Sequence, residues 1–366
     1  MPEAADAALP GQRYAQGVAR GDWNDDPAQH RALAELDRLH AALIALDPRG
    51  LLDRLRGRPA PAPQGLYLWG GVGRGKTFLI DLFFDGLPIS AKRRTHFHRF
   101  MREIHARLRG HAGESDPLRT IAREWRDELR VLVLDEFFVH DIGDAMLLGR
   151  LLEHLFAEGV ALVTTSNIEP SGLFRDGLQR ERFLPAIALI EQHCRVLHLD
   201  SDTDYRLRAL TGSPVYRSPL DEEADAWLAG RWAELTAGAA RQRGPLVIEA
   251  RPIPVRGLAD GHAWFDFGAI CDGPRSVADY IEIATEFHTV LVGDIPLFDG
   301  NNDDPARRFV HLVDELYDRQ VNLVCTAAAT PTHLYRGRRL LGAFDRTASR
   351  LIEMRSAEYL ALDHRC

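Results

Sequence analysis

The chain has 366 residues, 27% charged and 45% apolar, with a formal net charge of -8. That length suffices for two compact domains with buried cores, and the mixed composition excludes disordered, collagenous and coiled-coil chains. The acidic balance argues against a dedicated nucleic-acid scaffold and leaves room only for a local basic patch.

Residues 1–64 read as an N-terminal helical extension and linker. Asp26-Pro27 supplies a cap and a first-turn proline, Leu33, Leu36, Leu39 and Leu43 recur at helical spacing, and Arg58 to Gln64 holds three prolines. The start of the chain is acidic and Ala-rich, without the basic and apolar regions of a leader, and no run approaches 18 apolar residues. The four cysteines (Cys194, Cys271, Cys325, Cys366) include no C-x-x-C pair and read as reduced thiols, so the expected compartment is the cytoplasm.

From Gly65 short apolar runs alternate with amphipathic stretches, which predicts a parallel sheet flanked by helices over 65–212. The predicted strands are Leu66–Trp69, Thr95–Phe100, Val131–Leu134, Ala161–Val163 and Val196–Leu199. Between the first strand and an apolar helix stands Gly70-Gly71-Val72-Gly73-Arg74-Gly75-Lys76-Thr77, a full G-x-x-x-x-G-K-[ST] match followed by Phe78. Glycines let backbone N–H groups converge on phosphate oxygens, and the helix N-terminus that follows adds partial positive charge. Lys76 reaches the β- and γ-phosphates of ATP, and Thr77 offers its hydroxyl to Mg²⁺. The chain's 45 basic residues include two lysines, Lys76 and Lys92. At position 76 the residue type is set by chemistry, because a planar guanidinium does not enter a nest sized for an ammonium. Lys92 reads as an ordinary surface residue ahead of a strand.

His96 and His98 fall on one face of the second predicted strand, yet no third zinc ligand has supporting spacing. The segment beyond that strand, with Phe100 and Met101, is placed as a loop able to touch a threaded partner. Val131-Leu-Val-Leu-Asp135-Glu136 puts two carboxylates at the end of a buried strand, 59 positions past Lys76. Asp135 is expected to orient Mg²⁺, and Glu136 to act as general base on the attacking water. Thr164-Thr165-Ser166-Asn167 closes the next strand, with Asn167 as the γ-phosphate sensor and Thr165 as its substitute. Arg180 and Arg182, before an apolar helix, are candidate arginine fingers acting on a neighbouring subunit's nucleotide. Arg206, Arg208, Arg346 and Arg350 are alternatives for the finger and for a second sensor.

Past Thr211-Gly212-Ser213-Pro214 the pattern changes to short strands over 213–275, with a hairpin-type turn at Asp260-Gly261. A C-terminal α/β region, 276–366, opens with a helix at Ser276–Phe287. The two halves echo each other faintly. Val131-Leu-Val-Leu-Asp135 and Val290-Leu-Val-Gly-Asp294 are each followed by a second strand and then by Leu173-Phe-Arg175 or Leu334-Tyr-Arg336. The simpler account is two ordinary strand-helix-strand units, with a degenerate nucleotide fold as the alternative.

Several runs resemble the ZapE cell-division ATPase family and its mitochondrial Afg-type relatives. They are Val133-Leu-Asp-Glu-Phe-Phe-Val-His-Asp-Ile-Gly-Asp-Ala-Met146, Thr165-Ser-Asn-Ile-Glu-Pro170, Gly177-Leu-Gln-Arg-Glu-Arg182, Asp204-Tyr-Arg-Leu-Arg208, Cys271-Asp-Gly-Pro-Arg-Ser276, Ala306-Arg-Arg-Phe309 and Ser349-Arg-Leu-Ile-Glu-Met354. The likeness extends over nearly the whole chain from about Tyr14. It implies an AAA+-like P-loop ATPase, a homo-oligomer, which in bacterial members reduces the stability of FtsZ polymers. In mitochondrial members it implies quality control of respiratory-chain proteins.

Rival readings are weaker. A GTPase lacks its Asn/Thr-Lys-x-Asp base-recognition element, because no lysine remains to build it. A nucleobase-transfer kinase normally lacks the Asp-Glu pair. A loader acting on nucleic acid would rely on Lys92-Arg93-Arg94 with Arg99 and Arg102, and a dead nucleotide scaffold has no need of Glu136. The expectation is a Mg²⁺-dependent ATP hydrolase that remodels a protein partner, FtsZ or another division protein.

Overall fold

The structure is a computed structural model that describes residues 8–45, 61–71, 73–139, 141–175, 177–200, 207, 210–236, 244–248, 251–259, 261–362 and 364–365. Val72, Arg206 and Arg208 lie outside the described residues. The chain divides into two compact units, 1–204 and 205–366.

Among the described residues of the first unit, helices α1 (Pro10–Arg20) and α2 (Pro27–Ala45) precede the sheet. The leucine spacing on α2 places Leu36, Leu39 and Leu43 fully inside, each burial contributing about 1.5–3 kcal/mol. The strands are β1 (Gly65–Trp69), β2 (Lys92–His96), β3 (Val131–Asp135), β4 (Ala161–Ser166) and β5 (Cys194–His198). The helices between them are α3 (Lys76–Gly86), α4 (Phe97–Gly110), α5 (Pro117–Glu128), α6 (Ile142–Ala157) and α7 (Leu184–His193). The sheet order is β2-β3-β4-β1-β5, all parallel.

Period-2 alternation assigns the two sheet faces to separate cores. Leu66, Leu68, Val131 and Val133 pack with Leu79, Ile80 and Phe83 of α3 and with the α2 leucines. Tyr67, Leu132 and Leu134 pack on the opposite face with Phe100, Ile104, Trp125 and Leu148. The sheet is thereby buried on both sides, as an all-parallel sheet requires.

Three expectations change in this unit. β2 stops at His96 and α4 begins at Phe97, so four of the six residues of the predicted strand Thr95–Phe100 are helical and His96 and His98 share no strand face. Phe100 and Met101 are buried in α4, not exposed in a loop. Lys92 is not a plain surface residue. Its ammonium donates to the carbonyls of Phe84 and Leu87 at the C-terminal end of α3 and sits 4.6 Å from the Phe84 ring centroid. A cation at that end complements the helix dipole.

The second unit holds β6 (Tyr216–Arg217), β7 (Leu246–Ile248), β8 (Arg251–Ile253), β9 (Gly257–Ala259), β10 (His262–Asp266), β11 (Thr289–Ile295) and β12 (Asn322–Ala327). Its helices are α8 (Ala224–Leu235), α9 (Phe267–Cys271), α10 (Val277–Glu286), α11 (Asp303–Asp318), α12 (Leu341–Glu353) and α13 (Ala357–Leu360). The main sheet runs β6-β12-β11-β10-β9, with β9 and β10 forming the antiparallel hairpin expected at Gly261. Because β10 pairs with β11 along five residues, the stretches 213–275 and 276–366 share one sheet. The two N-terminal helices likewise fall within the first unit, so neither 64 nor 275 marks a boundary between the units. α10 starts as a capping box, with the Ser276 side chain over the helix start and Asp279 Oδ2 accepting from the Ser276 N–H. Cys194, Cys271 and Cys325 are buried and unpaired, and burial pushes the Cys194 thiol up to about 12.

Candidate active site

The carboxyl ends of β1, β4 and β3 lie side by side, which is where open parallel sheets bind ligands. β1 runs into the glycine loop, and two of its glycines are demanded by space and backbone. Gly70 has φ 152, and a Cβ there would stand 2.4 Å from the Leu199 carbonyl oxygen. Gly75 has φ 86 and forms the left-handed cap of α3, where a Cβ would meet Gln29 Nε2 at 2.6 Å. Gln29, 3% exposed, comes from α2 and donates to the Arg74 carbonyl at 3.4 Å. Trp23 packs edge-on against Phe78 at 4.9 Å between ring centroids. The N-terminal helices therefore support the glycine loop from behind.

Lys76 is the first residue of α3, with Thr77 next. The Lys76 ammonium is 9% exposed and donates to the carbonyls of Gly70 at 2.7 Å and Gly71 at 2.8 Å, and to Asn167 Oδ1 at 2.9 Å. The residue after β4 is thus joined directly to the loop lysine, across 91 positions of sequence.

Asp135 ends β3 and is 2% exposed. Its Oδ2 accepts from Arg94 Nε at 2.6 Å, while its buried Oδ1 has no hydrogen-bond partner among the described residues. Arg94, on β2, also bonds Asp81 of α3. Desolvation pushes the Asp81 carboxyl above its ordinary value against the pull of that guanidinium. Glu136 follows with φ 52, a left-handed backbone that costs a side-chain-bearing residue about 1–2 kcal/mol. What holds it there is Thr165, whose Oγ1 accepts from the Glu136 N–H at 3.1 Å. The Glu136 carboxylate remains partly open to solvent, with Oε2 3.8 Å from His96 Nδ1. Burial pushes His98 down to about 3, so that imidazole is neutral. No group of three or more potential metal-ligating His, Cys, Asp or Glu residues occurs among the described residues.

The structure brings together Gly70, Gly71, Lys76, Asn167, Asp135 and Glu136, at the ends of three adjacent strands. Arg180 and Arg182 stand apart in a 3-10 turn, with Arg180 Nη2 on the Ser171 carbonyl at 2.5 Å and Arg182 exposed. Arg346 and Arg350 lie on α12 in the second unit and pair with Asp314 of α11 at 2.8 and 2.5 Å. Sequence reasoning missed Gln29, Asp81 and Arg94. The signal for Arg94 was its place two residues before the strand end that faces Asp135; for Gln29 there was none.

Comparisons with known proteins give the family of the chain. A family model described as AFG1-like ATPase matches residues 8–363. The chain is 43% identical to Cell division protein ZapE of Escherichia coli (strain K12), over 98% of this chain and 99% of that protein. It is 32% identical to Lactation elevated protein 1 homolog B of Danio rerio, over 82% of this chain and 69% of that one. Among solved structures, AMPPCP-bound DnaA from Aquifex aeolicus aligns at 15% identity with a TM-score of 0.36, covering 58% of this chain and 61% of that chain. A likeness that distant plays no part in the assignment, which rests on the near full-length matches and on a parallel sheet flanked by helices and carrying a P-loop. The protein is an ATP-binding P-loop ATPase, and the chain belongs to the AFG1-like ATPase family.

Proposed function

We propose that the protein hydrolyses Mg²⁺-bound ATP at the Lys76–Asp135–Glu136–Asn167 site and couples turnover to remodelling a protein partner in cell division. The observation that carries the site is that the end of β4 reaches both sides of it: Asn167 accepts from the Lys76 ammonium, and Thr165 Oγ1 accepts from the Glu136 backbone N–H. Gly70, Gly71, Gly73, Arg74, Gly75, Lys76, Thr77 and Phe78 wrap the phosphates through backbone N–H groups and the N-terminus of α3. Lys76 exchanges its loop carbonyls for β- and γ-phosphate oxygens, and Asn167 orients the γ-phosphate. Glu136 accepts the proton of a water that attacks the γ-phosphorus as the bond to the ADP oxygen breaks, leaving ADP and phosphate.

The residues present fit a divalent cation. Asp135 Oδ1 is buried without a hydrogen-bond partner among the described residues, and Thr77 directly follows Lys76. When bound, Mg²⁺ would neutralise charge on the phosphates. Arg94 balances Asp135 meanwhile.

Arg182 is the better finger for a neighbouring subunit, because it is exposed while Arg180 is tied to Ser171. Leu178, beside them, is 71% exposed, an apolar contact suited to a second copy of the chain. Specific ATPase activity is expected to rise with protein concentration, and Arg182→Ala to remove that rise. An activity flat across dilution, with no oligomer in light scattering, would eliminate the shared site.

The division role follows the 43% identity to the ZapE relative, and FtsZ as partner follows the family resemblance. A cytoplasmic location accords with that role. No helix among the described residues is long and apolar enough to cross a membrane. Within the basic cluster, Lys92, Arg93 and Arg94 are engaged by helix carbonyls, Glu103, and the Asp81–Asp135 pair, which disfavours the nucleic-acid reading. Sedimentation of FtsZ polymers with this protein should show less pelleted polymer with ATP than without it. An ATP-independent pellet would turn the assignment of partner toward another protein.

A further inference from the structure

The second unit repeats the first far beyond a shared strand-helix-strand pattern. Its strands β10-β11-β12-β6 are parallel neighbours in the same order as β2-β3-β4-β1. The registers coincide as well. Thr164 of β4 lies between Leu134 and Tyr67 in the first unit, and Cys325 of β12 lies between Val292 and Tyr216 in the second. In both units the strand preceding this pair ends on a residue followed at once by a helix-opening phenylalanine, Phe97 or Phe267.

Side-chain anchors recur at matching places. Tyr67 Oη donates to the Ile168 carbonyl at 2.8 Å, and Tyr216 Oη to the Ala329 carbonyl at 2.7 Å. The Glu136 N–H donates to Thr165 Oγ1 at 3.1 Å, and the Asp294 N–H to Thr326 Oγ1 at 3.0 Å. Glu136 and Asp294 are both left-handed, at φ 52 and 62. The ends of α6 and α11 turn alike, with Gly159 at φ 77 and Gln320 at φ 57. The next residue in each case, Val160 or Val321, donates to the carbonyl of Leu155 or Leu316. From Leu155–Arg175 to Leu316–Arg336 the correspondence runs without a gap at a constant offset of 161 positions, through 3-10 turns at Pro170–Gly172 and Pro331–His333. Left-handed residues bearing side chains are uncommon, and two ordinary units would have no reason to place them at the same corner with the same threonine beneath.

What differs is the chemistry at the strand ends. Counting from the paired tyrosines, Gly70–Thr77 corresponds to Pro219-Leu-Asp-Glu-Glu-Ala-Asp-Ala226, so Asp225 takes the place of Lys76. Gly293 stands for Asp135, Asp294 for Glu136 and Ala328 for Asn167. Asp225, Asp266 and Asp294 surround Arg256, which bonds both Asp225 oxygens, lies 3.6 Å from Asp266 and feels the charge of Asp294. The Arg256 guanidinium also stacks over Trp264 at 4.6 Å. A triphosphate approaching these strand ends would meet acids where the first unit offers a lysine and glycine N–H groups.

We infer that residues 205–366 are a second copy of the ATPase fold whose phosphate site has been rebuilt as an arginine–aspartate cluster, so that each chain binds one nucleotide and the second copy is nucleotide-silent. The inference rests on the assignment of Lys76 and Glu136 above. It is tested by titrating Glu136→Gln protein with a fluorescent ATP analogue in a calorimeter and by fluorescence. The expected stoichiometry is one per chain, falling to none when Lys76→Ala is added. The matched threonines provide a second readout. Thr165→Val, which unseats a positioning residue for Glu136, should lower kcat about 10²-fold with nucleotide affinity within about threefold. Thr326→Val should lower Tm while leaving kcat and stoichiometry as they are. Should Thr326→Val fail to fold, Arg256→Gln serves in its place, with the same unchanged kcat and stoichiometry expected. Two nucleotides per chain, one that survives Lys76→Ala, or a kcat lost in Thr326→Val or Arg256→Gln would overturn this inference alone. No nucleotide in the parent protein would overturn the Lys76 assignment with it.

Discussion

Glu136→Gln is expected to bind ATP as the parent protein does and to lose turnover by about 10²–10⁴-fold, the usual contribution of a positioned general base. The substitution is nearly isosteric and leaves the backbone N–H of position 136 on Thr165, so the left-handed corner persists. Lys76, Asn167 and the glycine loop are untouched, and with them the groups assigned to bind the phosphates. What disappears is the negative charge that accepts the water proton. Phosphate release measured beside nucleotide affinity decides the matter. A Glu136→Gln enzyme retaining more than about a tenth of parental kcat would remove Glu136 from the role of base.

Lys76→Ala should act on the other parameter, weakening nucleotide binding by about 2–5 kcal/mol, the range for truncating one partner of a buried charged contact. That is roughly 30-fold to several thousand-fold in Kd. The ammonium donates to oxygens of Gly70, Gly71 and Asn167 at 2.7–2.9 Å. A point charge with three donors can trade those acceptors for phosphate oxygens without rearranging the loop, whereas a planar guanidinium lacks that geometry. Lys76→Arg is therefore expected to fail as well. Calorimetric titration with ADP and ATP checks both variants, and a Kd for Lys76→Ala within about threefold of the parent's would contradict the placement of the phosphates.

The parts of the site readable in advance are those whose chemistry requires contiguous residues. A phosphate nest needs its glycines and lysine within one turn of chain, and a carboxylate pair at a strand end needs the apolar run before it; both stand in the sequence as unbroken words. Strand positions were similarly legible where burial on both faces demands continuous apolar residues, as in β1, β3 and β4. β2 was misjudged because Lys-Arg-Arg-Thr-His is half-exposed along its whole length and carries no apolar run, so the helix that follows lent it two aromatic residues. Gln29, Arg94 and Lys92 act across folds of the chain, on Arg74, on Asp135 and on α3, and no local pattern records such meetings. The duplication was faint for a related reason. Hydrogen-bond register and backbone handedness survive where most side chains at the strand ends have been replaced.

The positions of the two lysines have a practical consequence. They bracket a single helix, Lys76 at the start of α3 and Lys92 on its final carbonyls, in a chain that otherwise uses arginine for every basic side chain. Acylation by an amine-selective reagent therefore has two side-chain targets, one inside the proposed ATP site and one outside it. Desolvation holds the Lys92 amine below its ordinary value, and its place outside the site makes its tag the internal reference. The ratio of mass tags on the two peptides reports how fully the site is occupied, in a mixture of partners and without a labelled nucleotide.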